Sequence, residues 1–333
     1  VNGLKKLIKN NVAPIITAKA LSVESAFFMV KFMAKGEVEM KWQYRSMLFI
    51  PGVKDTWLKK LNDNVADAII MDLEDSVPQE RKVQARDFVA QALSMPTKKS
   101  LWVRINKTTQ GYALEDIEAI VCEALTGIVV PKVASVADVI GLSAQLAQVE
   151  QARGLAVGSI RLLPMLETAQ ALWFAYDIAS IPRVAGIAGI SSKNGDAERS
   201  LGTRWTEEGL ETLYLKSRTV MAARAAGKMP IGGLWQNVHD LDGLTKSASF
   251  NRQLGYDGEL ILHPSNAPIV NQAYAPTLTD IAYYEGMIAA FEQGKQQGVT
   301  AMLYEGEHID YAHVETAKEI VAYAKKMLEG DAI

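Results

Sequence analysis

The sequence predicts an α/β fold, a (β/α)8 or TIM barrel with a C-terminal lid segment, on three observations. From Tyr44 onward, short β-rich runs alternate with longer stretches of helical period, the pattern of repeated βα units. About eight such units over roughly 250 residues match the size of such a barrel, whereas a doubly wound sheet has fewer strands and a nucleotide-binding turn after its first strand. The polar residues with chemical potential fall just after the runs, where the loops of a barrel converge on one face.

In chain order the strand-like runs are RSMLFI from Arg45, ADAIIMDL from Ala66, SLWVRI from Ser100, GIVVPK from Gly127, IRLLPML from Ile160, RVAGIAGI from Arg183, PIGGLW from Pro230 and GELILH from Gly258. Several are almost continuously apolar, as parallel strands covered by helices outside and packed inside a barrel must be. Helices are expected over 54–64, 80–93, 113–125, 135–153, 168–180, 206–227 and 240–254. From Gly298 the tail reads as a polar loop followed by a closing helix, a candidate lid. The barrel is placed at 40–297, the lid and helix at 298–333, and an N-terminal extension at 1–39. That extension holds Lys5, Lys6, Lys9 and Lys19 with no acid before Glu24. It reads as an arm, an upstream tail or a basic presequence, although it lacks the arginines typical of the last. Met40 directly precedes the first strand and is a candidate natural start.

Composition narrows the function. Lys and Arg total 35 against 38 Asp and Glu, a net charge of −3, so no global field favours a polyanion and nucleic acid is not an expected partner. The apolar stretch SAFFMV is broken by Lys31, well short of the roughly 20 residues of a membrane span, so no membrane partner is expected. One cysteine, Cys122, can form neither an internal disulfide nor a zinc cluster; it reads as a small buried side chain in a protein of a reducing compartment, the cytoplasm. No GxxxxGK[ST] or strand-linked GxGxxG occurs, which disfavours a kinase or dehydrogenase, and no GxSxG supports a hydrolase elbow.

The carboxylates carry more. Glu167 ends RLLPMLE and Asp196 sits in SSKNGDAERSLG after the next strand. Carboxylates on neighbouring strand ends can share one hard cation, with Mg2+ the natural choice; the alternative is that each caps the helix after it. Arg104, ending LWVRIN, offers a planar fork to a carboxylate or enolate oxygen, or pairs with Asp72, Glu74 or Asp75. Asp72 and Glu74 share one side of an extended chain and suit pairing with Arg45 or Arg104. Glu305, His308, Asp310 and His313 superficially suggest zinc, but histidines five apart do not share a helical face.

Together, RSMLFIPG, DLEDSVPQERKVQAR, VRIN, VVPK, PMLETA, the NGD ahead of SLG, and EGEHID before a final helix resemble the citrate lyase β-subunit-like group of the HpcH/HpaI aldolase superfamily, which includes malyl-CoA, β-methylmalyl-CoA and citramalyl-CoA lyases. The resemblance implies a trimeric or hexameric barrel that uses Mg2+, or Mn2+ in its place, to cleave or form carbon–carbon bonds of acyl-CoA thioesters, with a CoA thioester and a 2-keto acid as small-molecule partners. It implies Glu167 and Asp196 as metal ligands and Arg104 as a catalytic, substrate-contacting residue. Arg45, Glu74, Asn194 and Gly195 would bind substrate. Asp310 would be the proton-transfer group, entering a neighbouring subunit's site on a shared lid. Two departures bear on specificity: SSKNGD stands where FGAED is common, and EGEHID where DGxMID is common, with His308 at the methionine. A pyruvate aldolase without CoA, a malyl-CoA thioesterase and a non-catalytic barrel subunit are the alternatives.

Overall fold

The computed structural model describes residues 44–107 and 112–328; the extension expected over 1–39 lies outside them. All eight expected strands form: β1 (Ser46–Pro51), β2 (Ala68–Asp72), β3 (Ser100–Arg104), β4 (Leu125–Val130), β5 (Arg161–Pro164), β6 (Gly186–Ala188), β7 (Met229–Gly232) and β8 (Gly258–Ile261). They pair in parallel in the order β5-β4-β3-β2-β1-β8-β7-β6. The ring closes between β5 and β6 through two parallel bridges, Leu162 with Val184 and Met165 with Ala188. This is the barrel expected from the alternating runs.

Side-chain alternation explains why the strands read as apolar throughout. Leu48, Ile50, Ile69, Met71, Leu101, Val103, Ile128 and Val130 pack into the cluster shared with the helices, and the residues between them turn inward by the pleat. Met47, Ile70, Trp102, Val129 and Leu260 are accordingly buried in the barrel interior. Gly127 is what allows Trp102 to lie there: a Cβ at that position would stand 2.3 Å from the indole ring. On the seam between β5 and β6, the buried Glu150 carboxylate accepts from Arg183 Nη1 at 2.7 Å and Nη2 at 2.9 Å, and from the Ile160 amide at 2.9 Å. That fork ties the helix after β4 to the starts of both strands.

The helices around the ring are α1 (Asp55–Leu58), α2 (Lys82–Leu93), α3 (Tyr112–Ile120), α4 (Val136–Ala152), α5 (Ala169–Trp173), α6 (Ala175–Ala179), α7 (Asp196–Leu201), α8 (Leu213–Ala225), α9 (Leu241–Leu254) and α10 (Asn266–Tyr274). The helix expected over 168–180 breaks at Phe174 (φ −95°, ψ 21°). The guanidinium of Arg218 takes up the carbonyls of Leu172 and Trp173 at the break, satisfying groups that an uninterrupted helix would pair internally. The stretch 54–64 is likewise one α-turn followed by a 3-10 turn at Leu61–Asp63.

Beyond the ring, α11 (Leu278–Gln296), β9 (Ala301–Tyr304), β10 (Glu307–Asp310) and α12 (Tyr311–Leu328) complete the chain. Neither α10 nor α11 is among the expected helices, although Pro268 falls in the first turn of α10, where its missing N–H costs nothing, and Thr277 and Asp280 form a capping box for α11. The tail expected as a polar loop is instead an antiparallel hairpin. Its turn residues Glu305 (φ 47°) and Gly306 (φ 89°) are both left-handed, as two-residue hairpins of the primed type require. Met287, Phe291, Ile309, Val314 and Ala317 give α11, the hairpin and α12 a small core of their own.

Substituting Gly127 by Ala should destabilise the barrel by about 2–3 kcal/mol, since the added methyl would press on the buried ring of Trp102 and stand 2.8 Å from the Arg161 carbonyl oxygen. Chemical denaturation of the unaltered and substituted chains measures this.

Candidate active site

The C-terminal strand ends bring together residues from β2 to the start of α7. Arg104, the last residue of β3, donates from Nε to Asp72 Oδ1 at 2.6 Å and from Nη2 to Asp72 Oδ2 at 2.7 Å, the bidentate geometry that fixes a guanidinium plane. Its third nitrogen stands 3.4 Å from Glu74 Oε2. The inward-facing Phe49 ring of β1 lies beneath it, 4.8 Å from centroid to Cζ. Burial works against the Arg104 charge, but Asp72 and Glu74 outweigh it and raise its pKa further. Asp72, fully buried, is held below the usual carboxylate range: the burial penalty is overcome by Arg104, by Ser76 and by the Glu74 amide.

The loop after β2 is pinned from below by Lys82, whose Nζ donates to the carbonyls of Leu73 and Glu74, each at 2.7 Å. Lys132, just after β4, reaches across from the other side. Its Nζ donates to Glu74 Oε1 at 2.6 Å and to both Asp75 oxygens at 2.9 Å, and stands 3.9 Å from Asp196 Oδ2. Lys132 is left-handed (φ 49°), an uncommon conformation for a residue with a Cβ. The neighbouring Asn106 is committed to structure, its amide and Nδ2 both donating to Asp116 Oδ2 at 2.8 and 2.7 Å.

Glu167 follows β5 and is 6% exposed. No hydrogen bond or ion pair among the described residues reaches its carboxylate. Burial is the main cause that pushes its pKa up to about 8, reinforced by the charges of Glu74 and Asp196 and opposed by Arg104 and Lys132. Asp196 opens α7 and pairs with Arg199 and Lys132. Neither acid caps a helix. Thr168 caps α5 by accepting from the Ala171 amide at 3.0 Å, and the N-cap of α7 is Gly195. The helix-capping alternative for both carboxylates therefore falls away. Asn194 (φ 56°) and Gly195 form the turn that delivers Asp196; a Cβ on Gly195 would meet Ser192 Oγ at 2.3 Å.

Two expected site residues lie elsewhere in the chain. Arg45 precedes β1, so it sits at the opposite, N-terminal end of the barrel, where its Nε and Nη2 fork onto Asp67 at 2.9 and 2.7 Å. Its expected substrate contact is corrected to a structural tie between the starts of β1 and β2. Asp310 ends the hairpin and caps α12, accepting from the Ala312 amide at 3.0 Å and meeting His313 Nδ1 at 2.6 Å. The His313 bond holds its carboxyl below the usual range. Among the described residues, no hydrogen bond or ion pair joins Asp310 to the mouth of its own barrel, and no group of three His, Cys, Asp or Glu side chains is arranged to hold a metal, in the tail or elsewhere. Lys132 as a hub and Phe49 as a platform are what the motifs alone did not reveal. The position of Lys132 at a strand end and the inward register of Phe49 were the available signals.

The described helices include none long and apolar enough to cross a membrane. The chain is 30% identical over 85% of its length, and 95% of the relative's, to a (3S)-malyl-CoA thioesterase of Cereibacter sphaeroides. It is also 30% identical over 84% of its length, and 97% of the relative's, to a citrate lyase subunit beta of Haemophilus influenzae. A solved citrate lyase beta subunit from M. tuberculosis, complexed with oxaloacetate and magnesium, superposes with a TM-score of 0.60 at 25% identity, covering 72% of this chain and 100% of the other. The model of one enzyme family matches residues 45–264, which span all eight strands of the ring. The chain belongs to the HpcH/HpaI aldolase/citrate lyase family.

Proposed function

We propose that the chain is a Mg2+-dependent carbon–carbon lyase that cleaves or forms a 3-hydroxyacyl-CoA, such as malyl-CoA, β-methylmalyl-CoA or citramalyl-CoA, yielding a short 2-keto acid and an acyl-CoA. The observation that carries this reading is the Glu167 carboxylate, buried without a hydrogen bond and within electrostatic reach of Arg104 and Asp196. A desolvated carboxylate beside a second one is an oxygen donor set that suits a hard divalent cation. Glu167 and Asp196 would hold Mg2+, or Mn2+ in its place. Such an ion supplies Lewis acidity to a keto-acid oxygen when bound. The citrate lyase β-subunit and malyl-CoA thioesterase relatives support the substrate class, and the M. tuberculosis protein with oxaloacetate and magnesium supports the metal and keto acid.

The chain's own residues supply the remaining steps. Arg104, oriented by Asp72 and seated on Phe49, keeps a permanent positive charge beside the oxygens that gain charge as the carbon–carbon bond breaks. Its plane is fixed before substrate arrives, so no reorganisation is required at that moment. Glu74 stands against Arg104 at the substrate-facing side, and the Asn194–Gly195 turn places backbone beside Asp196. Asp310 exchanges the proton with the acyl carbon, or with the hydroxyl through water. Because it projects from a hairpin with its own core, it would act in a second copy of the chain, giving a homotrimer or hexamer with shared lids. Thioester hydrolysis is the second reading, favoured by the thioesterase among the relatives; release of free thiol from malyl-CoA in place of acetyl-CoA and glyoxylate would select it.

Asp310→Ala and Glu167→Gln should each lower lyase turnover by about 10²-fold or more. Mixed oligomers of the two should regain part of it, because some mouths then pair an intact metal site with an intact lid; a mass-spectrometric cleavage assay on malyl-CoA, citramalyl-CoA and methylmalyl-CoA follows both effects.

The raised pKa of Glu167 gives a pH dependence of definite sign. Its protonated form is the one the fold favours, so its stabilising contribution is complete below the ordinary carboxylate range and is lost as pH rises through about 8. Without metal, Glu167→Gln should therefore melt higher than the unaltered chain at pH 9. Mg2+ must displace that proton, so calorimetry should show its affinity weakening by about tenfold per pH unit below 8.

A further inference from the structure

We propose that Lys132 is a positioning residue that keeps Glu74 and Asp75 out of the coordination sphere of the divalent ion at Glu167 and Asp196, so that open positions remain for the keto acid. The inference rests on the proposed metal site and extends it to a residue with no assigned role.

Glu74, Asp75, Glu167 and Asp196 all lie at the same mouth, and Lys132 contacts three of them. Mg2+ in a catalytic site is held by one or two carboxylates and keeps several waters, whereas a sphere supplied by three or four carboxylates suits the larger Ca2+ and leaves little room for substrate. Glu74 is the most dangerous competitor. It is buried like Glu167, and its charge is among those that raise the Glu167 pKa. What turns it away is a pair of cations: Arg104 holds Oε2 at 3.4 Å and Lys132 holds Oε1 at 2.6 Å. Arg104 already spends its fork on Asp72. The Lys132 ammonium is thus the principal restraint on both Glu74 and Asp75. The left-handed backbone at Lys132, strained for a residue with a side chain, aims the ammonium into this gap from the end of β4.

The test is calorimetric titration of the full chain with Mg2+, with Ca2+, and then of the Mg2+-loaded protein with oxalate, a rigid mimic of the keto-acid enolate. In Lys132→Met, Mg2+ should bind at least tenfold tighter, Ca2+ should gain more than Mg2+, and oxalate should bind at least tenfold more weakly. Adding Glu74→Gln to Lys132→Met should reverse these changes, and Lys132→Arg should leave them near the unaltered values. Lys132→Gln replaces Lys132→Met if the latter does not fold. A merely structural role predicts weaker metal binding, not tighter. Unchanged or weakened Mg2+ affinity, or an unchanged ratio of Ca2+ to Mg2+ affinity, would overturn the proposal. Failure of the unaltered chain to bind Mg2+ at all would overturn the metal site itself, and is recognised before any variant is made.

Discussion

Placing a carboxylate in a dry setting costs several kcal/mol unless a proton or a cation compensates it, and the barrel leaves that compensation open at Glu167. The two cations whose charges reach it are already engaged. Arg104 is locked onto Asp72, and Lys132 onto Glu74 and Asp75. Had either been free to swing toward Glu167, an ordinary buried ion pair would have closed the site. The intramolecular pairs thus have a negative role as well as a stabilising one: they withhold positive charge from the acid that needs it.

That arrangement depends on register. Asp72 and Arg104 are paired residues at the ends of adjacent strands, so the fork between them follows directly from the parallel alignment of β2 and β3. The same pleat that sends Leu101 and Val103 outward to the helices sends Trp102 and Arg104 inward. The tryptophan fills the floor of the barrel and the arginine its mouth. A slip of one residue would exchange these roles and lose both.

Much of the ring was legible because strands buried on both faces leave a strong apolar signature, and all eight runs become strands. The break at Phe174 was not, since it depends on Arg218 reaching from a distant helix to take two carbonyls. The hairpin at 301–310 was hidden because half the residues of its four-residue strands are exposed and resemble a polar loop. At the candidate site, the placement of Glu167, Asp196 and Arg104 at one end of the barrel was readable from motifs at strand ends. Arg45 was misplaced because a motif fixes sequence position but not which end of a strand a residue occupies. The hub role of Lys132 required three-dimensional contacts with residues more than 50 positions away.

The ring has one thin place. Between β5 and β6 the ladder is reduced to two bridges, and the Glu150–Arg183 fork secures only the starting ends of those strands. Glu167 and Asp196 emerge on either side of the same gap, at its far end. On the proposed metal site, an ion held by both carboxylates would act as a buckle on the belt, so that filling the mouth would also fasten the cylinder at its thin place.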